Sequence, residues 1–192
     1  MSSKPVLILV AGGPGAGKTA LGRALARRIA SAVLLDKDVL CGAWVDAMLE
    51  RLNEGQVDRD SRVYWNLVRP LEYSALLDAA LDNLALGKTV IVVAPFGPEL
   101  RDDQWLRSLQ QSTDELRASL RVLWIETDAA VAKARMSERH DTRDDWKLAN
   151  WNEFAQRAQF GPPKGHILVL RNSDDVTLAG LEQQAIDILD LR

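Results

Sequence analysis

Val6-Leu7-Ile8-Leu9-Val10-Ala11 runs directly into Gly12-Gly13-Pro14-Gly15-Ala16-Gly17-Lys18-Thr19, and this stretch decides the fold. The first six residues are apolar without polar alternation, as in a strand covered on both faces. The next eight match G-x-x-x-x-G-K-[ST], and Leu21, Leu25 and Ile29 follow at helical spacing. Strand in and helix out is the context that distinguishes a phosphate-cradling loop from an ordinary glycine-rich turn. Glycines allow positive φ, so successive backbone N–H groups can turn inward around phosphate oxygens. The helix adds its N-terminal partial charge to the same place. On this reading Gly12 through Thr19, with Ala20, form the nucleotide-binding set. Lys18 bridges the β and γ phosphates, and the Thr19 hydroxyl ligates Mg²⁺.

Working outward, Leu34-Leu35-Asp36-Lys37-Asp38 puts two carboxylates just past a second strand. In a doubly wound sheet the carboxyl ends of the strands form the ligand crevice. One carboxylate near Mg²⁺ and one near an acceptor hydroxyl would suffice for phosphoryl transfer, in which positioning and charge neutralisation dominate. The residues alone do not separate the two roles. The alternative is that either Asp only caps the helix beginning near Val39.

The same alternation continues along the chain. Strands are expected at Val6–Ala11, Ala32–Leu35, Thr89–Ala94, Arg121–Ile125 and His166–Leu170. Between them, Leu40, Trp44, Met48 and Leu52 mark a second helix, and a third runs from about Asp60 to Leu86, kinked or split by Pro70. Further helices fit Pro98–Ser112, Asp128–Arg139, Trp146–Gln159 and Thr177–Leu189, the last with Thr177 as N-cap. Strands alternating with helices throughout imply a three-layer α/β domain with a parallel sheet, single over residues 1–192.

Composition narrows the setting. The chain has 192 residues, 47% hydrophobic and 27% charged, enough for a core and against intrinsic disorder. With 24 basic and 27 acidic residues, global charge gives no case for nucleic acid or an anionic membrane. Cys41 is the one cysteine, and two distant histidines form no metal pattern. A reducing, cytoplasmic setting is expected, with Cys41 a buried spectator rather than a nucleophile. Lys4 and the apolar run after it are too short for a signal peptide, and nothing approaches a membrane span.

The glycine loop, the Asp-x-Asp after the second strand and the Arg-rich segment near residue 140 together resemble the P-loop kinase group. That group includes shikimate kinase, gluconate kinase, chloramphenicol phosphotransferase and the nucleoside monophosphate kinases. The resemblance covers most of the chain in element order, although only the phosphate loop is highly specific. It implies a P-loop NTPase fold, α/β/α, with a five-stranded parallel sheet in order 2-3-1-4-5 and a short helical lid over about 135–150. It also implies ATP and Mg²⁺ as cofactors, with Asp36 near the metal together with Thr19, and Asp38 near the acceptor hydroxyl. Lys133 to Arg143 resembles the lid whose arginines contact ATP. Arg139 and Arg143 are the preferred pair, with Arg135 as a candidate for stacking on adenine. Asn172-Ser173 stands where this fold frames adenine. One departure is visible: Val90 to Phe96 lacks the Asp that ends a typical Walker B strand.

Arg135 and Arg139 share a helix face, and guanidinium groups fork onto phosphate oxygens. On a mobile segment they would close over ATP and exclude water; the plainer alternative is a solvated charged helix. Trp146 and Trp151 would pin that segment or line the acceptor site. The acceptor pocket is expected between Asp38, the Trp44 helix, the Arg59–Tyr73 stretch and the loop after Phe96, where Arg62, Tyr64, Trp65, Arg69 and Tyr73, with Arg101, give a mixed lining suited to a polar ring, a sugar or an anion. Tyr64, Trp65, Leu67, Val68 and Leu71 read equally as half a core face. The leading function is phosphoryl transfer from ATP to a hydroxyl of a small molecule. A nucleotide or polynucleotide-end kinase is one rival, and an ATP-binding regulatory switch is another.

Overall fold

The computed structural model describes residues 4–141, 144–158 and 160–190. Five strands, β1 (Val6–Gly12), β2 (Val33–Asp36), β3 (Val90–Val93), β4 (Ser119–Glu126) and β5 (Leu168–Arg171), form one sheet. All pairings are parallel and the order is β2-β3-β1-β4-β5, as the resemblance implies. Helices α1 (Lys18–Arg28), α2 (Lys37–Leu52), α3 (Arg69–Ala85), α4 (Asp103–Glu115), α5 (Ala129–Arg139), α6 (Asp145–Ala149), α7 (Trp151–Arg157) and α8 (Leu178–Leu189) supply the connections. Thr177 caps α8, its Oγ1 accepting from Gly180 N at 3.1 Å.

Strand β1 shows why both faces are covered. Its Leu7, Leu9 and Ala11 enter one core with Leu76 and Ala80 of α3 and Leu109 of α4. Ile8 and Val10 enter the other, with Leu21 and Leu25 of α1 and Leu181 and Ala185 of α8. Each large apolar side chain buried this way contributes about 1.5–3 kcal/mol. On α1, Gly22 allows the closest approach: a Cβ there would meet Val93 Cγ2 at 2.4 Å. That contact sets α1 against β3 and so fixes where the glycine loop lies above the sheet.

The α2–α3 region departs from expectation in two ways. In α2 the buried stripe is Cys41, Val45 and Leu49, while Leu40 and Leu52 face outward and Trp44 and Met48 are half-buried. Both stripes run at i, i+4, and tertiary contact selects between them. The Asp60–Leu86 stretch contains a π-helical turn (Tyr64–Val68) just before α3. There the Arg69 N–H reaches the Tyr64 carbonyl, i→i−5, and Pro70, in the first turn of α3, has no N–H to continue the ladder. Within the apolar Tyr64–Leu71 stripe only Tyr64 and Val68 are buried. Cys41 is buried, and burial raises its thiol pKa, which suits an inert thiol. Among the described residues no helix is long and apolar enough to cross a membrane.

Candidate active site

The glycine loop leaves β1 at the carboxyl edge of the sheet. Gly12, Gly15 and Gly17 all have positive φ, at 142°, 72° and 93°. Space is as restrictive as torsion there: a Cβ on Gly12 would meet the Ile125 carbonyl at 2.6 Å, and one on Gly15 the Ala132 carbonyl at 2.7 Å. Lys18 folds back so that Nζ donates to the Gly13 carbonyl at 2.7 Å. Burial lowers its pKa to about 8, helped by Arg139 and Lys37 and opposed by Asp38 and Asp36.

Asn172, at the end of β5, braces this loop from behind. Its Nδ2 donates to the Ala16 carbonyl at 2.8 Å and fills the space a Gly17 Cβ would need. Arg135 fixes the amide's orientation, donating to Asn172 Oδ1 at 3.4 Å and to the carbonyls of Asn172 and Ser173 at 3.3 and 3.1 Å. Asn172 and Ser173 line a separate groove of about 440 Å³ at the ends of β4 and β5.

Thr19 and Asp36 meet across the crevice, with Thr19 Oγ1 donating to Asp36 Oδ2 at 2.8 Å. The other Asp36 oxygen accepts from Asp38 N at 3.0 Å, so Asp36 is also the N-cap of α2. Asp36 is therefore at once the cap of α2 and the partner of Thr19. Asp36 pairs in register with Val93, so β2 delivers its carboxylate beside the place where β3 carries none. A hydroxyl and a carboxylate oxygen suit a hard cation such as Mg²⁺, which otherwise keeps phosphate and water ligands. No group of three or more His, Cys, Asp or Glu that could hold a metal occurs among the described residues.

Beyond Asp36 lies a cluster missing from the sequence expectations. Lys37 is buried, its Nζ 2.9 Å from Glu72 Oε1 and 3.0 Å from Asp38 Oδ1. Glu72, at 0% exposure, accepts from Tyr64 OH with its second oxygen at 2.8 Å. Arg59 approaches Asp38 at 3.5 Å while its Nε and NH2 hold Asp46 at 3.2 and 2.7 Å. Asp38 thus stands between two cations beside the glycine loop. The Glu72 signal was present in the sequence: Val68, Glu72, Leu76, Ala80 and Leu84 form one i, i+4 stripe. A carboxylate in a core stripe requires a buried cation.

One cavity of about 810 Å³ joins these groups. Of the expected nucleotide set, Gly12–Gly15 and Gly17–Ala20 line it, and Ala16 lies buried beneath. Asp36, Asp38, Trp65, Arg69, Tyr73, Arg101, Arg135 and Arg139 also line it, joined by Lys37, Arg59 and Tyr64. Trp44 and Arg62 do not. Trp44 packs against the Cys41–Val45–Leu49 cluster, and Arg62 is exposed because Tyr64, about 200° further round the helix, takes the inward position.

The Arg-rich segment closes the far side. Arg139 is bound through Nε to the fully buried Asp144 at 2.5 Å. Arg143 lies outside the described residues. The expected Trp146–Gln159 helix is instead the short pair α6 and α7. Trp146 of α6 lines the cavity, whereas Trp151 packs on Phe154 and under Lys133.

Fold and site together define a P-loop protein of three-layer α/β/α architecture. The chain belongs to the AAA domain family, whose pattern matches residues 7–163. No curated protein matches the sequence. Among solved structures it is similar to a provisionally named kinase from Chloroflexus aurantiacus j-10-fl (22% identity, TM-score 0.64, covering 96% of this chain and 98% of that one). The APS kinase of Mycobacterium tuberculosis, in complex with AMPPNP and APS, matches with 18% identity and a TM-score of 0.60, over 97% and 98% of the two chains. A gluconokinase from Sinorhizobium meliloti 1021 gives 17% and 0.59 over 99% and 93%. At these identities the likeness speaks for the fold.

Proposed function

We propose that the protein transfers the γ-phosphoryl group of ATP, with Mg²⁺, to a hydroxyl of a small molecule. The observation that carries this reading is the Thr19–Asp36 hydrogen bond at the loop mouth, with Asp38 two residues on and open to the same cavity. Mg²⁺, held by Thr19 and Asp36, would neutralise charge on the phosphates. Lys18 would leave the Gly13 carbonyl for the γ-phosphate. Arg139, and Arg143 beyond the described residues, would serve the phosphates from a lid over about 135–150 in a single domain. Arg135, Asn172 and Ser173 would border the nucleotide. Trp65, Arg69, Tyr73 and Arg101 would wall the acceptor.

In the transfer, the acceptor oxygen bonds to the γ-phosphorus as the bond from that phosphorus to the ADP oxygen breaks. The hydroxyl proton passes to Asp38, whose carboxylate Lys37 and Arg59 hold in position. The single, buried cysteine supports a cytoplasmic setting. The test is ADP release from Mg-ATP across a panel of hydroxyl compounds. A kinase accelerates when its acceptor is added, and Lys18→Ala should cut the accelerated rate on the order of 10²–10³. Tight ATP binding with no stimulation by any compound would favour the regulatory switch.

A further inference from the structure

The acceptor wall carries many cations, and the sequence left open whether they await an anion. Their partners decide this. Arg69 is forked onto Glu99, with NH2 to Oε2 at 2.9 Å. Arg59 is held by Asp46 at 2.7 Å, Lys37 by Glu72 at 2.9 Å, and Arg157 by Glu153. The cations line the cavity, while Asp46, Glu72, Glu99 and Glu153 lie outside the lining. At Arg69, Arg59 and Lys37 an incoming anion would therefore meet charge that is already compensated. To take Arg69 it would have to strip Glu99, a side chain only 11% exposed, leaving that carboxylate nearly buried and unpaired. Arg101 lies on the same side and donates NH1 and NH2 to the Gly97 and Gly161 carbonyls, both at 2.8 Å.

The same wall presents a flat aromatic surface. The Arg69 guanidinium lies 4.8 Å from the Trp65 ring centre and 4.1 Å from that of Tyr73, a stack of indole, guanidinium and phenol. Glu99 locks the middle member, so Trp65 is held as a platform although it is 43% exposed. A large apolar ring left open inside a cavity is a surface that a ligand covers.

Resting on the kinase reading above, we propose that the acceptor is an uncharged hydroxyl compound, a sugar or an aromatic alcohol, whose ring packs one face on Trp65. Selection against anions comes from the carboxylates that compensate Arg69, Arg59 and Lys37, while Arg101 keeps its charge on the Gly97 and Gly161 carbonyls.

The test uses the full chain, saturating Mg-ATP and matched acceptor pairs: glucose with glucuronate, phenyl glucoside with phenyl glucuronide, and benzyl alcohol with hydroxymethylbenzoate. ADP release is expected to favour the neutral member by about tenfold or more in kcat/KM. Trp65→Ala should raise KM for that member about tenfold with little change in kcat, and Trp65→Phe should restore most of it. Glu99→Gln, which uncovers the Arg69 charge, should narrow the preference. Preference for the carboxylated member overturns the inference and leaves the kinase reading standing, as does an anion preference that Arg101→Gln abolishes. Unchanged KM in Trp65→Ala also overturns it. Silence across every pair with ATP binding intact removes the kinase reading, and this inference with it.

Discussion

The two halves of the cavity are built by different means. Around the glycine loop, cations rest on neutral backbone: Lys18 on the Gly13 carbonyl, and Arg135 on the carbonyls of Asn172 and Ser173. Along the acceptor wall Arg69 rests on Glu99 and Arg59 on Asp46, carboxylates rather than carbonyls, with Arg101 the exception on the Gly97 and Gly161 carbonyls. A carbonyl holds an ammonium without cancelling its charge, so the first half keeps a positive field for phosphate. The second half turns its charges into fixed structure. Arg139 stands at the boundary, lining the cavity yet bound to Asp144. It would have to leave that carboxylate to reach a phosphate.

The comparison can be broken from either side. The largest effect is expected where charge is most deeply compensated. Glu72→Ala leaves Lys37 and Tyr64 OH without their buried partner, and chemical denaturation should show a loss of about 3 kcal/mol. That is the lower end for a broken buried pair, because Asp38 still faces Lys37. A loss under about 0.5 kcal/mol would mean the pair is not structural.

Lys18→Ala tests the other half. Turnover should fall on the order of 10²–10³, like the loss of one preorganised donor, while the melting temperature stays within a few degrees. A variant with near-normal ATP-dependent turnover would remove Lys18 from the chemistry.

Asn172→Leu keeps the volume but deletes the donor to the Ala16 carbonyl, at a cost of about 1–3 kcal/mol in loop order. Titration with ATP, pyrophosphate and adenosine separates two roles. A brace predicts weaker ATP and pyrophosphate binding with adenosine unchanged. Equal loss for all adenosine-containing ligands would instead assign Asn172 to the base.

The smallest effect is on pH. Burial lowers the Lys18 pKa from the usual 10.5 of a free lysine to about 8 in the free protein. Bound phosphate favours the ammonium, so binding above about pH 8 takes up a proton. ATP affinity should be flat below that pH and fall up to about tenfold per unit above it. For folding the direction is reversed: the unfolded chain holds this proton up to 10.5, so Lys18 adds stability as pH rises from about 8 to 10.5. Calorimetry in two buffers of different ionisation enthalpy would measure the uptake, and none at pH 9 would refute it.

Legibility in the sequence follows the same division. Each feature of the loop half depends on neighbours in the chain: a strand, glycines at fixed offsets and a helix. Strand ends shifted by only a residue or two, as with Ala32–Leu35 becoming β2 at Val33–Asp36. The acceptor half depends on pairs far apart in the chain, such as Lys37 with Glu72 and Arg69 with Glu99. Composition said that aromatic and cationic residues were available but not which faced inward. Trp44 and Arg62 were misplaced for that reason, since a one-residue change in helix phase moves a side chain by about 100°.

By itself, then, the sequence determined the strands, the glycine loop and the two carboxylates at the end of β2, because strand burial and backbone φ are local constraints. Only tertiary structure decided that Asp36 both caps α2 and meets Thr19, that Asn172 braces the loop, and that Arg69 and Arg59 are neutralised by Glu99 and Asp46. Those properties arise where α2, α3 and the segment after β3 converge. There, burying each charge obliges it to find a partner wherever in the chain one stands.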